Sequence, residues 1–380
     1  MRHDEGYGRY ADDDWVRGSV AALPPKAKAT PAPEPQPAPE PQPDHGTEPP
    51  GSPRFTGVDG LRGLAVLAVL LYDTGWFAGA RLGIDVLLVL SGFLVTLPLV
   101  RRADATGRTD AGPFLARRFK RLFPALVVVL TTTPALVHAF GSPRTVRDLS
   151  RQIPAALWPV SVTAQFCLVW PLLLGLLCFF LRRRIAAVTT VVVLLLAAFA
   201  AAPLLPLPDG FAHAVTRSHS VALLAGAAAA CAVHLAHRAV AHRTGRRDGR
   251  GHAPATVLLS VTGFAALAAL AALTMAGAVA SQVPVALCAA LLTAALSTEH
   301  GPLVRLLSAS LLAELGRMSY SVYLLHVPVY WLLRHGQPRI TDYALLLVGG
   351  TVTWLLSLLL HYLLVERLGA RPWQTRRAVR

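Results

Sequence analysis

Charge is scarce in this chain: Asp, Glu, Lys and Arg make up 15% of its 380 residues, and aromatic residues 7%. Lysine is nearly absent, confined to Lys26, Lys28 and Lys120. So little charge beside 54% hydrophobic residues and a mean hydropathy of +0.49 excludes a soluble domain of ordinary composition. Cysteine is also rare. Cys167, Cys178, Cys231 and Cys288 all fall inside apolar runs, with no CxxC spacing. That pattern argues against a disulfide framework and a metal centre, and the four read as small hydrophobes. The first fifty residues hold no apolar stretch ahead of a small-residue cleavage site, so the first apolar run is expected to serve as the insertion signal.

The formal net charge is +15, which could point to nucleic acid. The arginines, however, sit in short clusters between apolar runs rather than along one polar face, so the charge reads as membrane topology and no nucleic-acid partner is expected.

From Ala22 to Pro53 the chain is a Pro/Ala/Glu tract with almost nothing to bury, expected to be disordered and locally polyproline II. Beyond it, apolar runs of roughly 17 to 25 residues follow one another, each long enough at about 1.5 Å per residue to cross hydrocarbon. Ten are predicted: 60–77, 82–100, 122–140, 160–181, 185–205, 219–236, 255–276, 278–297, 317–334 and 341–365. The fold class is therefore an all-α polytopic membrane bundle. About 22 Lys and Arg fall in one set of alternate loops and about 7 in the other, which with an even number of crossings puts both termini in the cytoplasm. Three regions result: a Pro-rich tail over 1–54, a transmembrane domain over 55–368 and a basic tail over 369–380.

Ionisable residues inside such runs are costly in lipid and mark functional positions. Arg62 and Asp73 lie eleven residues apart, about three turns, and so share one helix face with a rise of about 16 Å. Asp73 and Asp85 flank a short turn around Gly79 at similar depth, where a facing pair of carboxylates would supply an acid and a base; each could equally be a helix-end or water-facing carboxylate. Arg118 and Arg121 share one side of the helix that enters at FLARRFKRLFP, suited to phosphate or to anionic lipid. Arg217 and His219 open the sixth run, and His326 lies near the middle of the ninth. A lone intramembrane histidine is more often a packing residue than a catalyst.

Three segments carry a resemblance: FTGVDGLRGLAVLAVLLYDTGW (Phe55–Trp76), GIDVLLVLSGFLVTLPLV (Gly83–Val100) and LGRMSYSVYLLHVPVYW (Leu315–Trp331). Weaker matches are RRFKRLFPAL, SVTAQFCLVWPLL, TRSHSVALLAGA and LVER, all in the same order. In these the chain resembles the membrane-bound acyltransferase-3 family of O-acyltransferases. The resemblance implies a ten-helix bundle that takes an acyl group from a cytoplasmic thioester donor, acyl-CoA, and esterifies a sugar or other hydroxyl at the opposite face. No bound cofactor is implied. It places Arg118 and Arg121 on the family's RxxR pair and Arg62 on the Arg of its Arg-x10-His motif, as donor-binding residues.

Asp73 occupies the family's catalytic His position, and His219 stands where the family commonly has Asp, so Asp73, Asp85 and His219 are the expected catalytic group. Ser91, Arg217 and His326 are read as acceptor-side or structural residues. The two departures suggest an exchange of places, with His219 as base and Asp73 fixing its tautomer. The alternative is a weakly active or inactive homologue acting as a membrane binding or accessory protein.

Overall fold

The computed structural model describes residues 55–107, 109, 111–140, 143–182, 184–202, 219–243, 253–276, 282–337 and 339–363. The Pro-rich tail, the LVER match, the basic C-terminal tail and Arg217 lie outside these residues. Every regular element among the described residues is helical. In chain order these are α1 (Thr56–Asp73), a 3-10 turn (Ala78–Arg81), α2 (Leu82–Thr106), α3 (Ala111–Phe140), α4 (Pro143–Phe180), α5 (Ile185–Ala201), α6 (Ser220–Arg243), α7 (Ala253–Met275), α8 (Gln282–Leu296), α9 (Pro302–Leu307), α10 (Ser310–Arg317), α11 (Ser319–Gly336) and α12 (Asp342–His361).

Each predicted apolar run overlaps a helix, and the run 317–334 touches two. Five spans are long and apolar enough to cross a membrane: Ala78–Thr106, Leu157–Phe180, Ser220–Val240, Val257–Met275 and Asp342–His361. Ile185–Ala201 and Gln282–Leu296 are apolar but shorter. Three details differ from the sequence prediction. α4 begins well before residue 160, at Pro143; residues 302–317 form two short helices where a loop was expected; and α12 contains a π-helical turn over Leu345–Gly349. Average hydropathy does not report these departures, because they depend on local hydrogen bonding.

The helices divide by what they face. Within the apolar windows, 72% of α2 and 67% of α6 is buried, against 17% for α7 and 22% for α12. α2 and α6 are thus the central pair, while the outer helices expose Val257, Val261, Leu347, Leu355 and Leu359, the apolar coat a lipid-facing helix needs. Leu88, Val89, Leu90, Ala222, Leu223 and Ala225 join residues of α1, α8 and α9 in one buried cluster.

Two glycines set how α2 and α6 meet. A Cβ on Gly92 would collide with the Leu223 carbonyl oxygen, and one on Gly226 would collide with the Val89 carbonyl oxygen. The helices therefore touch backbone to backbone at a reciprocal crossing, the close approach that small residues allow in membrane bundles. They also run parallel: Asp85 meets His219 at one end and Asp104 meets Arg238 at the other, and both pairs are 134 residues apart.

Candidate active site

One helical turn before the crossing on each helix come Asp85, four residues before Val89, and His219, four residues before Leu223. The glycine contacts thus bring the two side chains together, and His219 Nδ1 lies 2.8 Å from Asp85 Oδ1. The Asp85 side chain is 6% exposed and His219 21%. A carboxylate only accepts, so the proton of the neutral ring sits on Nδ1 and Nε2 is left as the acceptor. Nε2 makes no hydrogen bond among the described residues. The Trp158 ring of α4 stacks on His219 with centroids 4.3 Å apart and planes 29° apart. That stacking restrains the ring plane.

His219 precedes α6 with φ of 51°, a left-handed backbone conformation that costs a non-glycine residue about 1–3 kcal/mol. The histidine is held where helical geometry alone would not put it.

A second Asp–His pair lies nearby in sequence on the Asp side. His326 Nε2 of α11 is 2.7 Å from Asp73 Oδ2 at the end of α1. Here the histidine is 1% exposed and the carboxylate 36%. Arg334 continues the connection, donating to the Thr74 carbonyl at 3.2 Å and lying 3.6 Å from Asp342.

These contacts bear on two expectations. Asp73 and Asp85 take different histidines as hydrogen-bond partners, and the exchange of places is corrected: Asp85, not Asp73, orients His219, and Asp73 orients His326. The choice follows from helix neighbours, since the register of α2 with α6 fixes one pairing and the packing of α11 against α1 fixes the other. Ser91, six residues beyond Asp85, sits about 120° round the helix from it. Trp158 was not anticipated, and nothing in its sequence context separates it from the other apolar positions of α4.

At the other end of the bundle, Arg101 of α2 lies over the Phe55 ring at 5.7 Å, which fixes the start of α1 beside the end of α2. Arg62, one turn beyond Asp59, makes an ion pair with it at 3.6 Å. Arg118 buries its Nε with no hydrogen-bond partner among the described residues. A buried unpaired guanidinium donor costs about 1–3 kcal/mol, so Arg118 retains a donor that an anion can satisfy. The Arg121 side chain is outside the described set. No cluster of three or more metal-ligand side chains occurs among the described residues.

Residues 55–362 match the acyltransferase domain of the acyltransferase-3 family. The chain belongs to that family. Among curated relatives, the O-acetyltransferase OatA of Staphylococcus aureus (strain NCTC 8325 / PS 47) is 34% identical over 113 residues, 29% of this chain and 19% of OatA. A Staphylococcus aureus (strain COL) protein provisionally named as an O-acetyltransferase is 37% identical over 107 residues, 28% of this chain and 18% of that protein. The chain thus spans about a fifth of the length of the curated relatives it matches. No solved structure matches it. An all-helical membrane acyltransferase domain is therefore the frame for the two Asp–His pairs.

Proposed function

We propose that this chain is a membrane O-acyltransferase that moves an acyl group, acetyl above all, from a cytoplasmic thioester donor such as acyl-CoA to a hydroxyl of a carbohydrate or similar acceptor. The observation that carries the reading is the Asp85–His219 pair: a buried carboxylate on Nδ1 with Nε2 unoccupied is the arrangement a general base needs. Its family membership and the names of its relatives support the same chemistry.

In the reaction, His219 Nε2 accepts the proton of the acceptor hydroxyl as its oxygen attacks the acyl carbonyl. The charge that forms on the ring is opposed by Asp85. The thiolate of the donor leaves and takes a proton, so an ester and a free thiol are formed. Arg118, with its unsatisfied Nε, binds a donor phosphate at the opposite end, joined there by Arg121 and Arg62, although Arg62 already holds Asp59. Both termini lie on the donor side, in keeping with the loop arginines of the cell-membrane protein.

The test is transfer from labelled acetyl-CoA to a sugar acceptor by the purified protein in vesicles. His219→Gln removes the base, and transfer falls by about 10²–10⁴. Wild-type turnover in a folded His219→Gln variant excludes this base, and no transfer by the native chain with any thioester favours an accessory protein. Orientation is read by labelling Arg246→Cys in a cysteine-free background: protection from an impermeant reagent added outside is expected, and outside labelling reverses the topology.

A further inference from the structure

The Asp73–His326 pair is not used by the mechanism above, and it sets a carboxylate at the surface. His326 is 1% exposed and Asp73 36%, so a buried ring holds a carboxylate that opens outward. Oδ2 lies 2.7 Å from His326 Nε2, while Oδ1 makes no hydrogen bond among the described residues. Burying an imidazole in a membrane bundle is costly, and what it yields here is an acceptor atom held in one direction.

Two aromatic rings stand beside this carboxylate. α1 ends at Asp73, and Gly75, with φ of 83°, turns the chain into the connector that carries Trp76. The Trp76 ring meets Tyr343, in the first turn of α12, edge to face, with centroids 6.1 Å apart and planes at 72°. Trp76 is 57% exposed and Tyr343 58%, so the pair keeps apolar ring surface open. A polar contact ties the same two segments together. Arg334 Nη2 of α11 donates to the Thr74 carbonyl at 3.2 Å and lies 3.6 Å from Asp342, and a Cβ at Gly75 would lie 3.8 Å from Asp342 Oδ2.

This cluster lies at the end of the bundle away from Phe55. Arg101 over the Phe55 ring sets the end of α2 beside the start of α1, so the two helices are antiparallel. A Cβ on Gly83 would meet Ala65, Ala68 and Val69 of α1. α1 continues four residues past Val69 to Asp73, about one turn, whereas Asp85 lies two residues past Gly83 in the opposite direction. Asp73 is therefore the more superficial of the two carboxylates.

The groups present define what fits. Asp73 and Asp342 only accept, Arg334 only donates, and the rings offer apolar faces. Two carboxylates against one guanidinium disfavour an anion, and a small alcohol would leave the rings bare. A sugar ring matches the set: its CH face is apolar enough to stack on an aromatic face, and its rim of hydroxyls both donates and accepts. Anchoring in the membrane interface would explain the rings, but it requires no oriented carboxylate. We propose that Asp73, Trp76, Arg334 and Tyr343 form the binding surface for the acceptor, and that this acceptor is a neutral saccharide. The proposal rests on the carbohydrate reading above and adds where the sugar is held. Asp73 then binds acceptor hydroxyls and is not the base.

The test uses the full chain in lipid nanodiscs, without donor, and saturation-transfer NMR with cellobiose and N,N′-diacetylchitobiose as probes. Irradiating the aromatic protons is expected to saturate the ring CH protons of at least one disaccharide. The Kd rises at least about threefold in Trp76→Ala and in Tyr343→Ala, the scale of one lost aromatic contact. Trp76→Phe keeps an aromatic face and most of the affinity, whereas Asp73→Asn keeps the shape and loses at least about threefold with the charge-assisted hydrogen bond. Saturation of neither disaccharide overturns the proposal, as does binding unchanged in the double variant of Trp76→Ala with Tyr343→Ala. Saturation of choline methyl protons with neither disaccharide bound marks a cation site, and quenching of Trp76 by brominated lipid without a sugar signal marks a membrane anchor; both also overturn it. No turnover is read, so a sugar signal in a chain that transfers nothing keeps this site and rejects the His219 mechanism. Transfer to a sugar that is indifferent to both aromatic substitutions rejects this site alone.

Discussion

Each end of the α2–α6 pair sets an aspartate of α2 against a histidine, 134 residues away at one end and 130 at the other, and the two aspartates are differently occupied. At one end, among the described residues, Asp85 has a single partner, His219 Nδ1, and no arginine or lysine joins them. At the other, Asp104 is occupied at both oxygens, by His234 Nε2 at 3.1 Å and Arg238 Nη1 at 2.7 Å. A carboxylate already neutralised by an arginine has little left to offer a ring that gains a proton, and it works as a clamp. One that meets no such cation among the described residues can stabilise an imidazolium, as the proposed base requires. An Asp–His contact alone therefore does not identify a catalytic site; the third group decides.

The largest expected effect breaks that contrast directly. Asp85→Asn keeps the shape but removes the charge and lets the wrong tautomer form, so transfer falls by about 10²–10⁴. Asp104→Asn leaves transfer within about threefold of wild type, and the same vesicle assay reads both. A comparable loss in Asp104→Asn would make the two ends equivalent.

Next in size is the crossing that aligns both ends. Gly226→Ala puts a methyl into the Val89 carbonyl, and forcing α2 and α6 apart costs about 1–3 kcal/mol. Thermal unfolding in detergent should show the loss, with transfer reduced because Asp85 and His219 separate. Gly112→Ala, where an added Cβ meets nothing within 4 Å, serves as the silent control. Stability unchanged in Gly226→Ala would mean that the crossing does not set the register.

Smaller still is the clamp. Arg238 is 39% exposed, so the Arg238→Ala loss is discounted for solvent screening to about 0.5–1 kcal/mol, measured by the same unfolding. Smallest is the exposed Arg317–Glu314 pair one turn apart on α10, where Glu314→Gln changes stability by about 0.2–0.5 kcal/mol and transfer not at all.

The all-helical membrane fold was legible in the sequence because a lipid-facing helix must be apolar over its whole length, and the family because its matching segments keep their order. Asp73, Asp85 and His219 were legible because an ionisable residue in such a run is conspicuous. Their pairing was not. Which carboxylate meets which histidine depends on the register between helices far apart in the chain, and that register rests on Gly92 and Gly226, residues whose effect is visible only once α2 and α6 touch. His326 looked like a packing residue for the same reason: nothing on α11 announces that the end of α1 lies beside it. The π turn near Gly349 likewise leaves no mark on hydropathy, since it alters hydrogen bonding and not composition.

The central claim, that Asp85 and His219 act as one catalytic unit, is tested most directly by a double-mutant cycle on kcat/KM for acetyl transfer in vesicles. Groups that act together are strongly non-additive. The account predicts that Asp85→Asn and His219→Gln each lower kcat/KM by at least about 10², and that the double variant falls little further than His219→Gln alone. Losses that multiply in the double variant, or a His219→Gln enzyme that keeps wild-type kcat/KM, would contradict it.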